Sequence, residues 1–245
     1  MRKGAFFGYP DSLKDAHLPE SPITPPGEIV ANVPMAEARE KNPLLKLPAI
    51  WFPYRKMGMS ATDIACDQNS GTFGPFDGQF FVGDFTMALI TRVFLEKVDG
   101  EYQGACFPFR KGFQSAVVRL CFGKDGSMFV GETNRGWNST GSTSYGLERL
   151  VWTGKTPFEM LSMEALADGF RLRFTKPVDP ATAKNPASYT LSSYSYTYHK
   201  PYGSHEIDTK AMTISGIEVA EDGLSVILRV NDLRETYVHE LHATG

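Results

Sequence analysis

The sequence predicts an all-β fold, and three observations carry that reading. Glycine and proline number 23 and 16 in 245 residues, so the chain turns often. Aromatic residues make up 12%, with 17 Phe and 10 Tyr, a composition that favours strands over helices. Short runs of alternating apolar and polar residues recur between breaks rich in Gly, Asp and Pro, which is the period-2 pattern of strands. The length suits one large domain or two small ones and is enough to bury a core. An apolar content of 42% with 22% charged residues excludes a wholly disordered chain. With 25 Lys and Arg against 28 Asp and Glu the net charge is −3, and nothing points to nucleic acid, which needs clustered cations. No apolar run approaches the roughly 20 residues of a membrane span. The three cysteines, Cys66, Cys106 and Cys121, show no CxxC spacing. They read as buried free thiols rather than a disulfide framework or a thiolate zinc site.

Residues 1–53 read as a proline-rich irregular arm. The opening MRKGAFFGYPDS has a basic tip, but its apolar stretch stops at Pro10, short of a signal-peptide core. Nine of the 16 prolines fall between residues 10 and 53, and proline lacks the amide donor a regular element needs. Only MAEAREK, residues 35–41, suits a short helix.

Residues 54–154 contain an internal repeat. Gly78-Gln79-Phe80-Phe81-Val82-Gly83-Asp84 returns 48 residues later as Gly126-Ser127-Met128-Phe129-Val130-Gly131-Glu132. A strand pattern precedes each copy, at 61–67 and 116–123, and another follows, at 88–97 and 146–152. A hairpin turns at Asp99-Gly100 and a tight turn at Lys124-Asp125-Gly126. A period of 40–50 residues with about four short strands per unit is the signature of a β-propeller blade. The expectation is two four-stranded propeller-type blades. Propellers close with four or more, so self-association or blades supplied from elsewhere are expected.

Residues 155–245 change pattern. Phe170, Leu172 and Phe174 alternate with Arg171 and Arg173, and residues 213–230 read as a hairpin turning at Glu221-Asp222-Gly223. One helical turn fits 179–188. Short strands between turns over about 90 residues suggest a small antiparallel, immunoglobulin-like sandwich. A boundary is expected near Thr153–Pro157.

The stretches PAIWFPYRKMGMSATDI, GPFDGQFFVGD, FLEKVDGEYQGACFPFRKGF, NRGW and YGLERLVWTG carry a family resemblance. They resemble the last two blades of large bacterial β-propeller proteins related to pyrroloquinoline-quinone sugar dehydrogenases, the glucose and sorbosone dehydrogenase-like group. The tail DGFRLRFTKPVDPATAKNPASYTLSSYSYTY resembles an immunoglobulin-like domain that follows the propeller in some of them. The resemblance covers about 200 residues. It implies a periplasmic or secreted protein that acts on or binds a carbohydrate. The family's quinone site does not carry over. Thr86 stands where the family has a Lys, and Ala116 and Val118 where it has a pair of Arg, while Arg119 falls one residue off. The alternatives are a calcium-dependent lactonase of propeller type and a non-catalytic binding module.

Asp84 and Glu132 occupy equivalent repeat positions at strand ends. Paired carboxylates there bind a cation such as calcium, act as acid and base, or merely cap turns and pair with Arg. Arg135 completes the candidate catalytic set. Asn134, Arg135 and Trp137, on a Gly-containing loop, suit a sugar or lactone: a ring to stack on and groups to bond hydroxyls. The alternative is that Trp137 packs beneath its sheet. Tyr194, Tyr196 and Tyr198 share one face of a strand, as a carbohydrate platform or as a seal of the sandwich against the propeller. Tyr198 and His199 are candidate ligand contacts. His239 and His242, three apart, face opposite sides of a strand and make poor joint metal ligands.

Overall fold

The computed structural model describes residues 19–20 and 30–244. The rest of the proline-rich arm, including the MRKGAFFGYPDS start, lies outside the described residues. The chain is all-β, with 47% strand and 6% helix. A two-residue strand, β1 (Val33–Pro34), leads into α1 (Met35–Lys41), the short helix expected from sequence.

The first repeat forms an antiparallel sheet of β2 (Ala61–Cys66), β3 (Phe80–Asp84), β4 (Leu89–Val98) and β5 (Glu101–Lys111), in that order. Asp99 and Gly100, with φ of 49° and 85°, turn β4 into β5. Two consecutive positive φ values match the strand twist, which is why Asp-Gly serves here. The second repeat forms β6 (Val117–Phe122), β7 (Met128–Thr133) and β8 (Tyr145–Leu150). This corrects the expected second four-stranded unit, which has three strands. After Leu150 the chain meets Gly154, at φ +80°, and Pro157, and its next strand joins a different sheet.

The sequence repeat is also a repeat of strand pairing. Ala61 faces Asp84 as Val117 faces Glu132, and Ile64 faces Val82 as Leu120 faces Val130. Gly83 faces Ile90 as Gly131 faces Leu147, and Phe81 faces Arg92 as Phe129 faces Arg149. The two sheets pack through β6 on β2 and β3. Thr62 Oγ1 donates to the Val117 carbonyl at 2.9 Å, and Asp63 Oδ2 accepts the Leu120 N–H at 3.0 Å. A Cβ on Gly83 would lie 2.5 Å from Val117 Cγ1, so the second sheet seats only on a glycine. The core between them gathers Phe81 and Ile90 with Val117, Leu120, Met128 and Val130. Phe73 and Phe76 enter from the β2–β3 loop, and Phe81 meets Phe73 and Phe109 edge-on at 5.5 and 4.7 Å.

Beyond the repeats come β9 (Met160–Leu166), β10 (Gly169–Phe174), α2 (Pro180–Ala183), β11 (Tyr189–Tyr198), β12 (Glu206–Ala211), β13 (Ile214–Val219), β14 (Ser225–Val230) and β15 (Val238–Ala243). Asp179 caps α2 by accepting the N–H groups of Ala181 and Thr182. The order β13-β14-β10-β9 makes one antiparallel sheet. As the alternation predicts, Phe170, Leu172 and Phe174 are buried, while Arg171 and Arg173 reach Glu164. A second sheet is built on β11, which pairs with β12, β15 and β1.

The chain divides into two compact units. One comprises residues 49–188 and 214–231, and the other the described part of 1–48 with 189–213 and 232–244. The expected division at 53 and 154 does not follow these units. The two sheets of the tail fall in different units, because β11 recruits β1 from the N-terminal segment rather than β10. No helix among the described residues is long and apolar enough to cross a membrane.

Arg92, on β4, is fully buried. Its Cζ lies 4.4 Å from the ring centroids of both Phe76 and Phe107. It donates to Gln79 Oε1 and to the carbonyls of Leu161 and Met160 on β9, at 2.9 and 2.6 Å. Burial draws its pKa down to about 10, so the guanidinium remains charged at neutral pH. Arg92→Met should strand these acceptors in an apolar setting and lower unfolding stability by about 3 kcal/mol or more. Urea unfolding checks this, and a loss below about 1 kcal/mol would mean that water replaces the guanidinium.

Candidate functional site

The loops after β3 and β7 are joined by hydrogen bonds. Ser139 Oγ donates to the Phe85 carbonyl at 2.9 Å, and the Thr140 N–H to the Thr86 carbonyl at 2.8 Å. The Thr143 N–H donates to the Gln114 carbonyl at 2.9 Å, and Ser115 Oγ to the Thr143 carbonyl at 2.7 Å. Convergence of these two loops is what their equivalent repeat positions lead one to expect.

Asp84 ends β3 and is buried. Its Oδ2 accepts the N–H groups of Met59 and Ser60, at 2.7 and 2.6 Å, and its Oδ1 that of Met87, at 2.8 Å. Three amides occupy most of the four lone-pair sites of a carboxylate, so Asp84 acts as the turn cap. It has little left for a cation or a substrate. Among the described residues, no three or more His, Cys, Asp and Glu gather where a metal ion could sit.

Glu132 holds the equivalent place on β7 but makes different contacts. Its Oε2 accepts the Ser115 N–H at 2.7 Å, while its Oε1 is buried with no hydrogen-bond partner. Glu148, on β8, shares the sheet face with Glu132 and accepts the Gln114 N–H at 2.9 Å. Burial, and then the neighbouring Glu148, push the Glu132 carboxyl up to about 7 against the pull of the Ser115 amide. A side chain only 6% exposed thus takes up and releases a proton near neutrality.

Trp137 stands 63% exposed, so the packed alternative for its indole does not hold. The Trp137 backbone N–H donates to the Asn134 carbonyl at 3.4 Å, and the Asn134 backbone N–H donates to the Ser144 carbonyl at 3.1 Å. Gly136 turns the loop with φ +90°. Asn134, Gly136, Trp137 and Asn138 line an open recess of about 380 Å3. Arg135 is exposed on the same loop, and its N–H donates to Thr133 Oγ1 at 3.2 Å.

Tyr198 ends β11 and His199 follows it, in the compact unit that also holds β1. Tyr194, Tyr196 and Tyr198 are all buried, so they form no open aromatic platform, and burial raises Tyr198 to about 12. His199 Nε2 lies 2.7 Å from the Gly203 carbonyl. His239 and His242 sit on β15 opposite Ser193 and Thr190. Burial lowers His239 to about 4, which keeps it neutral. Cys121 is exposed and Cys66 and Cys106 are half-buried; all three are free, which corrects the expectation of buried thiols.

One residue escaped the sequence reading, Glu148. Glu148 becomes legible only once the β7–β8 register puts it on the face of Glu132. The three positions that the resemblance matches to the quinone's cationic partners are uncharged here. Thr86 Oγ1 donates to Ser60 Oγ at 3.1 Å, and Ala116 is wholly buried. Neither they nor Val118 offers a charge to the cofactor's carboxylates. No family model, curated protein or solved structure matches the chain.

A pH test follows for Glu132. Its folded pKa of about 7 lies above the ordinary 4.5, so the native state binds the extra proton between those values. That stabilisation is complete below about 4.5 and is lost as pH rises through 7. Glu132→Gln keeps an acceptor for the Ser115 N–H and gives Glu148 a donor. The variant should match the wild type near pH 4.5 and exceed it at pH 8 by on the order of 1–3 kcal/mol. Urea titrations at the two pH values check this, and an equal difference at both would remove the titration from the explanation.

Proposed function

We propose that this chain is a carbohydrate-binding protein with propeller-type blades and an immunoglobulin-like element, akin to the sugar-dehydrogenase-like family it resembles. By the same likeness it works in the periplasm or outside the cell. The observation that carries the binding reading is the exposed indole of Trp137 on a loop fastened at both ends, with Asn134 and Asn138 beside it. An exposed indole presents a flat apolar face that a ligand ring can cover. The apolar face of a sugar ring does so, and the two carboxamides supply both donors and acceptors for its hydroxyls. Exposed Arg135 adds a donor fork. With Asp84 engaged by three amides, binding is better supported than catalysis.

Glu132 favours a second reading, hydrolysis of a lactone or glycoside. It titrates near 7 and lies two residues before Asn134, which suits proton transfer at neutral pH. Calorimetry against a panel of neutral mono- and oligosaccharides and sugar lactones tests both. Trp137→Ala should weaken binding by about 1–3 kcal/mol, roughly 5- to 150-fold, with an unchanged unfolding curve. No binding by the wild type, or equal binding by both, ends the carbohydrate reading. Product release that is lost in Glu132→Gln would move the assignment to a hydrolase.

A further inference from the structure

The second-repeat sheet leaves open the face that the first-repeat sheet covers. Gly83 and Ile90 form the surface on which β6 seats, and Ile90 is 1% exposed. Their equivalents by strand register are Gly131 and Leu147, and Leu147 is 71% exposed, with Tyr145 beside it equally open. The seated strand shows the same asymmetry in reverse. Leu120 of β6 is 7% exposed against the first sheet, whereas its register equivalent on β2, Ile64, is 60% exposed. One chain therefore displays both halves of an interface that it has already built once internally.

Gly131 supplies an independent observation. Gly83 must be glycine, because a Cβ there would strike Val117 Cγ1 at 2.5 Å. No such constraint acts on Gly131. Its backbone is an ordinary strand without positive φ, and a Cβ would meet nothing closer than Arg119 Cβ at 3.5 Å. Glycine inside a strand weakens it and often marks a bulge or a place where another backbone approaches closely. Gly131 pairs with Arg119 beside the irregularity in β6, and among the described residues only Arg119 comes within 4 Å of that Cβ position.

We propose that copies of this chain associate head to tail, with β2 of one copy seated on the Gly131–Leu147 face of the next. Ile64 takes the place that Leu120 takes internally, and Ala61 that of Val117. The segment Phe52–Gly58 lies over Val82 and Thr91 but leaves β2 exposed, so the incoming strand is accessible. Arg119 stands where the internal interface has Asp63, so at that point the receiving face offers a donor to a carbonyl of the incoming edge strand. The two faces differ, which makes the contact heterologous: it closes a ring or extends as a filament.

Analytical ultracentrifugation across a concentration series, with the full chain, tests this. The wild type should form species larger than a monomer. Ile64→Glu and Leu147→Glu, both on exposed sites, should each be monomeric with unchanged circular dichroism and melting. Mixed one to one, they should recover a dimer and nothing larger, since one intact pair of faces survives. Gly131→Val should melt normally and fail to associate. A monomeric wild type, association retained by Ile64→Glu (a two-fold contact through Leu147 alone), or a mixture that stays monomeric would each overturn the proposal. Should either charged variant fail to fold, the Gly131→Val result decides in the same way.

Discussion

The architecture of the larger unit turns on a charge placed where charges are costly. Arg92 lies between Phe76 and Phe107 and satisfies its donors on Gln79 and on two carbonyls of β9. Sheets that pack face to face have no backbone hydrogen bonds to hold them in register, so side chains must supply the fixed points. Gln79 adds a second donor to the Leu161 carbonyl at 2.8 Å, and Glu96, farther along β4, accepts the Ala165 N–H at 2.9 Å. Strand β4 thereby addresses the β9 backbone at two places. A buried guanidinium is tolerable only when its donors are met, and that requirement fixes one arrangement of the sheets rather than a family of them.

Asp84 and Glu132 show how one methylene separates a structural carboxylate from a reactive one. Both stand at the end of the repeat's central strand and both accept the amide that precedes the outer strand. The shorter Asp84 side chain sits within a turn and gathers three N–H donors. The longer Glu132 side chain meets one amide and then another carboxyl. Three N–H donors engage the first, while desolvation and a like charge favour the proton on the second.

What could be read from sequence was local or repetitive. The helix at 35–41, the Asp99-Gly100 turn, the alternation in β10 and the 213–230 hairpin each depend on a few neighbouring residues. The equivalence of Asp84 and Glu132 was legible for the same reason, as was the turn-cap alternative that Asp84 adopts. What stayed hidden were pairings across long stretches of chain. Nothing in YTLSSYSYTY specifies that β1, some 160 residues earlier, lies beside it, so the grouping of β11 with the N-terminal segment was out of reach. The missing strand of the second sheet was equally hidden, because its absence depends on where β9 finds a partner.

The exposed loop and its rigid support belong to one physical device. A recess that must recognise a small polar ring gains little if its walls have to be ordered on each encounter, since immobilising a loop opposes binding. Here Ser139, Thr140 and Thr143 tie the loop to backbone carbonyls of Phe85, Thr86 and Gln114, so its path is set by the two sheets beneath it. Trp137 has only two side-chain torsions to lose, which makes an indole an economical contact surface. The sheets in turn hold their spacing through the Gly83–Val117 approach and the Phe81 core. A disturbance at Gly83, far from the recess in sequence, should therefore reach Trp137 through β6, Ser115 and Thr143, while a change at Trp137 itself need not disturb the core.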